Sequence, residues 1–300
     1  MKHNLTSLNI SRNWIGEEGA KYISELDNLT ILDIHGNDIV ANGANHISKM
    51  KRITTLSVGL NNLGKEGTKY ISEMKQLTNL EINNNNIQEE GAKFISGLKQ
   101  LTELSIHFNN IGDVGTKHLS ELKQLTRLNI GENNIGDEGV KHILEMKQLT
   151  DLDISNNNIR HKGSEYISGM NQLRILDINS CNIDPIGAQK ISEMKQLTDL
   201  NIAWNQFGDE GAKFISDMKQ LTTLELFNCD ISDIGAKCVS EMSKLTNLDI
   251  GENNLSDEGV RAVSNMKLMI LSVSSSKKGQ AKKDANTIDE MNTQITHDNN

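Results

Sequence analysis

Residues 77–100 read LTNLEINNNNIQEEGAKFISGLKQ, and residues 101–124 read LTELSIHFNNIGDVGTKHLSELKQ. Laid over each other, the two stretches agree at their apolar positions, at an Asn, at a Gly and at the closing Lys-Gln. The same unit starts at Leu5, Leu29, Ile53, Leu77, Leu101, Leu125, Leu149, Leu173, Leu197, Leu221 and Leu245. Ten units of 24 residues and one of 23 cover residues 5–267, and Leu268, Leu271 and Val273 begin a partial twelfth. A fixed period of this length marks a solenoid, because a single unit cannot bury its apolar face alone.

Each column of the repeat has a physical reading. Columns 1, 4 and 6 are apolar, and column 4 is Leu in all eleven units, from Leu8 to Leu248. A polar column 5 between apolar columns 4 and 6 is strand alternation. Columns 15, 16, 19 and 22 carry Gly, a small residue, Ile and Met at helical spacing. The column-15 Gly, from Gly19 to Gly259, is expected to let each helix approach its neighbour's backbone. Pro185 at column 13 suits a first helical position, which makes column 12 the expected N-cap. Asp184, Ser232 and Ser256 there are good caps, and the acids at column 13 suit the helix dipole. Column 9 is Asn in nine units and Cys in two, Cys181 and Cys229. A buried Asn stack there would satisfy backbone groups where the chain leaves the strand, and a thiol would do so less completely.

The pattern L-T-x-L-x-I-x-x-N-x-I resembles the leucine-rich repeat. The second half, I-G-D-E-G-A-K-x-I-S, resembles the G-A-L-A type of unit, which is related to ribonuclease-inhibitor-like repeats. The resemblance covers residues 5–273 and implies an α/β horseshoe, with an inner parallel sheet and outer helices. It also implies protein binding, in an intracellular adaptor or an effector delivered into a host cell. Related repeats serve as GTPase activators and as ubiquitin-ligase substrate adaptors, and these roles stand as alternatives beside a purely structural assembly protein. Only four residues precede the first unit. An F-box, which some relatives carry upstream of their repeats, has no counterpart in them.

Composition narrows the function. With 31 Lys and Arg against 40 Asp and Glu, the net charge of −9 disfavours nucleic acid and anionic membranes as main partners. No apolar run approaches the roughly 18–20 residues of a membrane-spanning helix, and the N-terminus has no apolar signal region. Three cysteines are no disulfide framework, and Cys181 and Cys229 stand about 10 Å apart at the usual strand spacing. The aromatic content of 3% fits a core made of a repeated aliphatic layer, with Met at column 22 filling gaps. Catalysis needs different groups converging on one point, whereas a linear array spreads like groups along lines. His118 and His142 share a helix column, with no third ligand to complete a zinc set. No phosphate-binding or nucleophile motif is present, so neither enzyme activity nor a cofactor or metal is expected.

The outward columns of the sheet carry the candidate binding surface. Columns 3, 5, 7, 8 and 10 hold 13 acids and 2 bases, a net of −11 against −9 for the whole chain. This points to a protein or peptide with a basic surface. Aromatic residues interrupt the polar pattern at Trp204 and Phe227, in neighbouring units, and at Phe108, with His107 beside it. Aromatic anchors ringed by charge are the usual make-up of binding hot spots. Asp177, Asp199 and Glu225 flank the first pair, and Asp151 and Asp153 extend the acidic surface. The same acids also keep an exposed sheet soluble. Trp14 is expected to shield the first unit's open face. After Val273 the composition turns polar, so residues 274–300 are expected to be a disordered tail with lysines at 277, 278, 282 and 283. The expected protein is a cytoplasmic or host-delivered monomer.

Overall fold

The computed structural model describes residues 4–274, and the expected tail from residue 275 onward lies outside the described residues. Among the described residues, twelve strands form one sheet in sequence order, all parallel. The first, β1, is Ser7–Asn9, and the last two, β11 and β12, are Asn247–Asp249 and Ile270–Ser272. Each covers columns 3–5 of its unit. The register sets column on column, so Leu32 faces Leu56, and Leu152 faces Leu176. Parallel pairing demands a crossover, and the second half of every unit supplies one. Eleven short helices among the described residues, from α1 (Gly16–Ile23) to α11 (Asp257–Ser264), form the second layer. A helix layer is wider than a strand layer, which puts the sheet on the inner, concave side.

The core lies between the layers. Leu32, Ile34, Ile39 and Ile47 are fully buried, and their equivalents repeat along the chain. Truncating one such Leu or Ile to Ala costs about 2–5 kcal/mol. Two polar ladders hold the register. The column-2 threonines donate to the carbonyl of the threonine one unit earlier, as Thr102 Oγ1 does to the Thr78 oxygen at 3.2 Å. The column-9 asparagines form the other ladder. Asn61 Nδ2 donates to the Ile34 and Val58 oxygens at 2.9 and 3.1 Å, and Asn61 Oδ1 accepts the Asn37 N–H at 3.0 Å. Cys181 Sγ and Cys229 Sγ manage one carbonyl of the previous unit each, at 3.3 and 3.4 Å. Both are free, and burial pushes each thiol up to about 12.

The helix starts differ from expectation. Column 12 caps the helix in four units, where Gly136, Asp184, Ser232 and Ser256 are extended. In the other seven, column 12 is the first helical residue and has a positive φ, as at Gly16, Val40 and Arg160. There its N–H donates to a column-9 carbonyl of the next unit, as Gly64 does to the Asn85 oxygen at 3.0 Å. The column-13 acids cap as well, but they cap the following helix. Asp209 Oδ1 accepts the N–H groups of Ser232 and Gly235, and Asp233 Oδ1 those of Ser256 and Gly259.

The column-15 glycines admit the neighbouring unit, as expected: a Cβ on Gly115 would stand 3.2 Å from Ala92 Cβ of the previous helix. They also have a second role. A Cβ on Gly91 would stand 2.6 Å from Ile87 Cβ, within its own unit. On Gly139 it would meet Ile135 at 2.6 Å and Asp113 Oδ1 of the previous unit at 2.5 Å. Glycine is therefore needed both for the chain's own return through column 11 and for the close approach of the previous unit.

Candidate binding surface

Strand alternation turns columns 3 and 5 outward and column 4 inward, giving the concave face a regular grid of side chains. Column 5 has a structural duty that its charge conceals. Its Asp or Asn oxygen accepts the N–H two residues on, closing the strand end. Asp153 does this for Ser155 at 3.0 Å and Asp177 for Asn179 at 2.9 Å. Asn129 and Asn201 do the same for Gly131 and Ala203. Either residue type satisfies the turn, so Asp rather than Asn at 33, 153, 177 and 249 adds charge without adding fold.

That charge is crowded. Asp153 and Asp177 are cross-strand partners, as are Glu225 and Asp249. Burial, reinforced by Asp153, raises Asp177 from 3.8 to about 6, although Asn179 and Asn201 hydrogen bonds oppose it. Burial and then Asp249 raise Glu225. Two of the other flanking acids are engaged. Arg127 Nε binds Asp151 Oδ2 at 2.9 Å, and Arg127 Nη1 lies 3.6 Å from Glu103. Thr198 Oγ1 donates to Asp199 Oδ2 at 2.6 Å. Asp151 thus belongs to a three-strand ion triad, and the freer acidity lies toward the C-terminal units.

The aromatic pair forms one platform. The Trp204 and Phe227 rings stand 5.4 Å apart at 40°. Trp204 is 54% exposed, and Phe227 is partly buried beneath the same surface. Column 8 has a positive φ in every unit, with Asn at 84, 156 and 228 and Gly at 36. Trp204 (φ 56°), Phe108 (60°) and Leu60 (53°) adopt it against type. The left-handed form costs a side-chain-bearing residue about 1–2 kcal/mol, so folding gives no reason for these exposed apolar residues.

The other candidates are separate from this pair. Phe108 is 52% exposed and lies four units from Trp204. His107 Nδ1 contacts Ser105 Oγ at 3.1 Å, and burial lowers its affinity for a proton, against the pull of Asp153, Glu132 and Glu81. Ile175 is a residue that the sequence reading passed over. It is 42% exposed, and Asp151 and Asp199 are its cross-strand partners. The available signal was an isoleucine in a column otherwise mostly polar.

Trp14 does not shield the first unit. It is 84% exposed at φ 55°, and with Arg12, Asp38 and Leu60 it lines an open groove of about 520 Å³. Among the described residues no cluster of His, Cys, Asp and Glu could hold a metal ion, and no helix is long and apolar enough to cross a membrane.

Family models for leucine-rich repeats match residues 75–135 and 145–207, and a second such model matches residues 2–24, 219–240 and 241–264. The chain belongs to the leucine-rich repeat family. Solved structures agree on the fold. An internalin (inlF) from Listeria monocytogenes superposes with a TM-score of 0.66 at 20% identity, covering 93% of this chain and 88% of that one. The functional domain of InlJ from the same organism gives 0.60 at 23%, covering 90% and 53%. The plant peptide hormone receptor RGFR1, solved in complex with RGF2, gives 0.53 at 17%, covering 91% and 56%. At these identities the likeness concerns the fold alone. No curated protein sequence matches the chain. Leucine-rich repeats are a known protein-binding scaffold, and the plant receptor is an instance holding a peptide hormone.

Proposed function

We propose that this leucine-rich repeat protein is a non-enzymatic scaffold whose concave face binds a protein or peptide with a basic surface. The Trp204–Phe227 platform carries this reading. It sets an exposed Trp204, held at a conformationally unfavourable positive φ, against the partly buried ring of Phe227, beside Asp177, Asp199 and Glu225. Aromatic anchors supply affinity, and the surrounding acids steer a cationic partner. Ile175 adds an apolar contact between two acids on the same face. The three free cysteines fit a reducing compartment, as in an intracellular adaptor or a host-delivered effector.

The test is a comparative pull-down from a lysate at low and moderate salt. The baits are the parent chain, Trp204→Ala with Phe227→Ala, and Asp177→Asn with Asp199→Asn and Glu225→Gln. The expected result is a protein retained by the parent, lost with the aromatic pair removed and weakened by salt or charge removal. Retention that ignores both variants sinks the reading.

A further inference from the structure

The described chain ends beside the aromatic platform. Ser274 occupies column 7 of the partial twelfth unit, in the same row as Phe227 and Gly251. A Cβ on Gly251 would lie 3.1 Å from Phe227 Cδ2 and 2.6 Å from Ser274 Oγ, so this glycine sits between the two. The Glu252 N–H donates to the Ser274 oxygen at 2.7 Å, which fixes the exit point on the edge of the acidic face. Residues 275–283 then read Ser-Ser-Lys-Lys-Gly-Gln-Ala-Lys-Lys.

Charge is complementary across this exit. Units 8–11 present Asp177, Asp199, Glu225, Asp230, Asp249 and Glu252 in the outward columns, with no Lys or Arg among those columns. Among the described residues none of the six is ion-paired. Reach is sufficient. Phe227 lies two strands from Ser274, about 10 Å, and Asp177 lies four strands away, about 19 Å. Lys277 is three residues past Ser274 and spans at most about 10 Å, and Lys283 spans about 30 Å. The first lysine pair therefore reaches Glu225, Asp249 and Glu252, and the second reaches Asp177 and Asp199. A segment tethered this close acts at an effective concentration of roughly millimolar.

We propose that residues 275–283 dock back on the concave face over Trp204 and Phe227 and compete there with the external partner. This rests on the basic-partner reading of the same face, since it assigns that face a built-in substitute ligand. The segment raises the threshold for binding, so only a partner more basic or better anchored than the chain's own lysines displaces it.

The test uses the full chain with Trp14→Asn, which leaves Trp204 as the sole indole. Acrylamide quenching of Trp204 is compared with and without Lys277→Gln, Lys278→Gln, Lys282→Gln and Lys283→Gln, at about 0.02 M and about 0.5 M salt. The expected result is stronger quenching in the Gln variant, matched in the parent only at high salt. In parallel, a synthetic octalysine peptide is titrated by calorimetry. It should bind the Gln variant about tenfold more tightly than the parent, if the segment occupies the face about nine-tenths of the time. Equal quenching with equal octalysine binding overturns the docking and leaves the acidic-face reading standing. Octalysine binding to neither chain at low salt overturns both.

Discussion

Asp177→Asn separates what the concave face does for folding from what it does for binding. The wild-type carboxylate is raised from 3.8 to about 6, chiefly by burial and in part by Asp153. A rise of this size corresponds to about 3 kcal/mol favouring the protonated folded state. The sign follows from proton binding. The folded chain holds this proton more tightly than the unfolded chain, so the group's contribution is fully present below about pH 4. It is lost as pH rises from about 4 through about 6, and at neutral pH the charged Asp177 is a liability. An amide removes that liability and still accepts the Asn179 N–H, as Asn201 does for Ala203. It gives up the Asn201 Nδ2 bond to Asp177 Oδ2 at 2.9 Å, worth about 1 kcal/mol. The variant should therefore be about 1–2 kcal/mol more stable at pH 7, a rise of roughly 2–4 °C in Tm for a domain of this size. At pH 4 it should show no gain. Thermal melts by circular dichroism at pH 4, 5, 6 and 7 check this. A variant that melts below the parent at pH 7, or whose difference from the parent does not change with pH, refutes the reasoning. The same variant should bind a basic partner less well, giving a residue that improves binding at a cost in stability.

Cys181→Asn and Cys229→Asn should each stabilise the chain by about 1 kcal/mol, because an amide completes the buried ladder that a thiol only partly fills; a lower Tm for both would sink the ladder account. Gly91→Ala should destabilise by about 2 kcal/mol or more, since its Cβ would stand 2.6 Å from Ile87 Cβ; an unchanged melt would contradict the close approach. Trp14→Asn should leave stability unchanged or raise it by up to about 1 kcal/mol, because Asn tolerates the left-handed backbone and little buried area is lost; a clear loss in Tm would mean that Trp14 packs after all. Arg127→Gln should free Glu103 and Asp151 and strengthen binding of octalysine at low salt, and a calorimetric titration showing weaker binding would contradict the ion triad.

The fold was legible because the repeat states it eleven times. A strand alternation, an Asn and a helical face recurring every 24 residues leave one solution, and the observed register sets each column on itself. What the sequence concealed was whatever depends on the next unit. The column-13 acids read as favourable to their own helix, yet Asp209 and Asp233 serve the helix that follows. Column 12 read as a uniform cap, yet its backbone takes two forms: in seven units its N–H meets a carbonyl of the next unit, at Gly136, Ser232 and Ser256 it meets a carboxylate of the last, and Asp184 caps with its own side chain. The proximity of Trp204 to Phe227 could be read from the period alone, because neighbouring units place columns 7 and 8 side by side. The pairing of Asp151 with Arg127 could be read the same way, but the charge count treated the two as independent.

A repeat protein also separates function from folding in a way that an ordinary domain does not. Each column is an experiment repeated eleven times, and the commonest residue shows what the backbone there requires. Column 8 is left-handed in all eleven units, and Asn84, Asn156, Asn228 and Gly36 suit that backbone, whereas Trp204 adopts it against the preference of its own side chain. Column 5 accepts Asn at 129 and 201, so Asp177 departs in charge while meeting the same hydrogen-bonding duty. The two departures lie one unit apart and both work against stability, one through backbone strain and the other through a buried charge. Backbone strain alone recurs elsewhere, at Leu60 and Phe108, but in these units it coincides with a carboxylate raised by burial and with a paired aromatic ring. The placement of Trp204, Phe227 and Asp177 within three consecutive units is therefore the strongest reason to seek the partner there rather than on the helix layer.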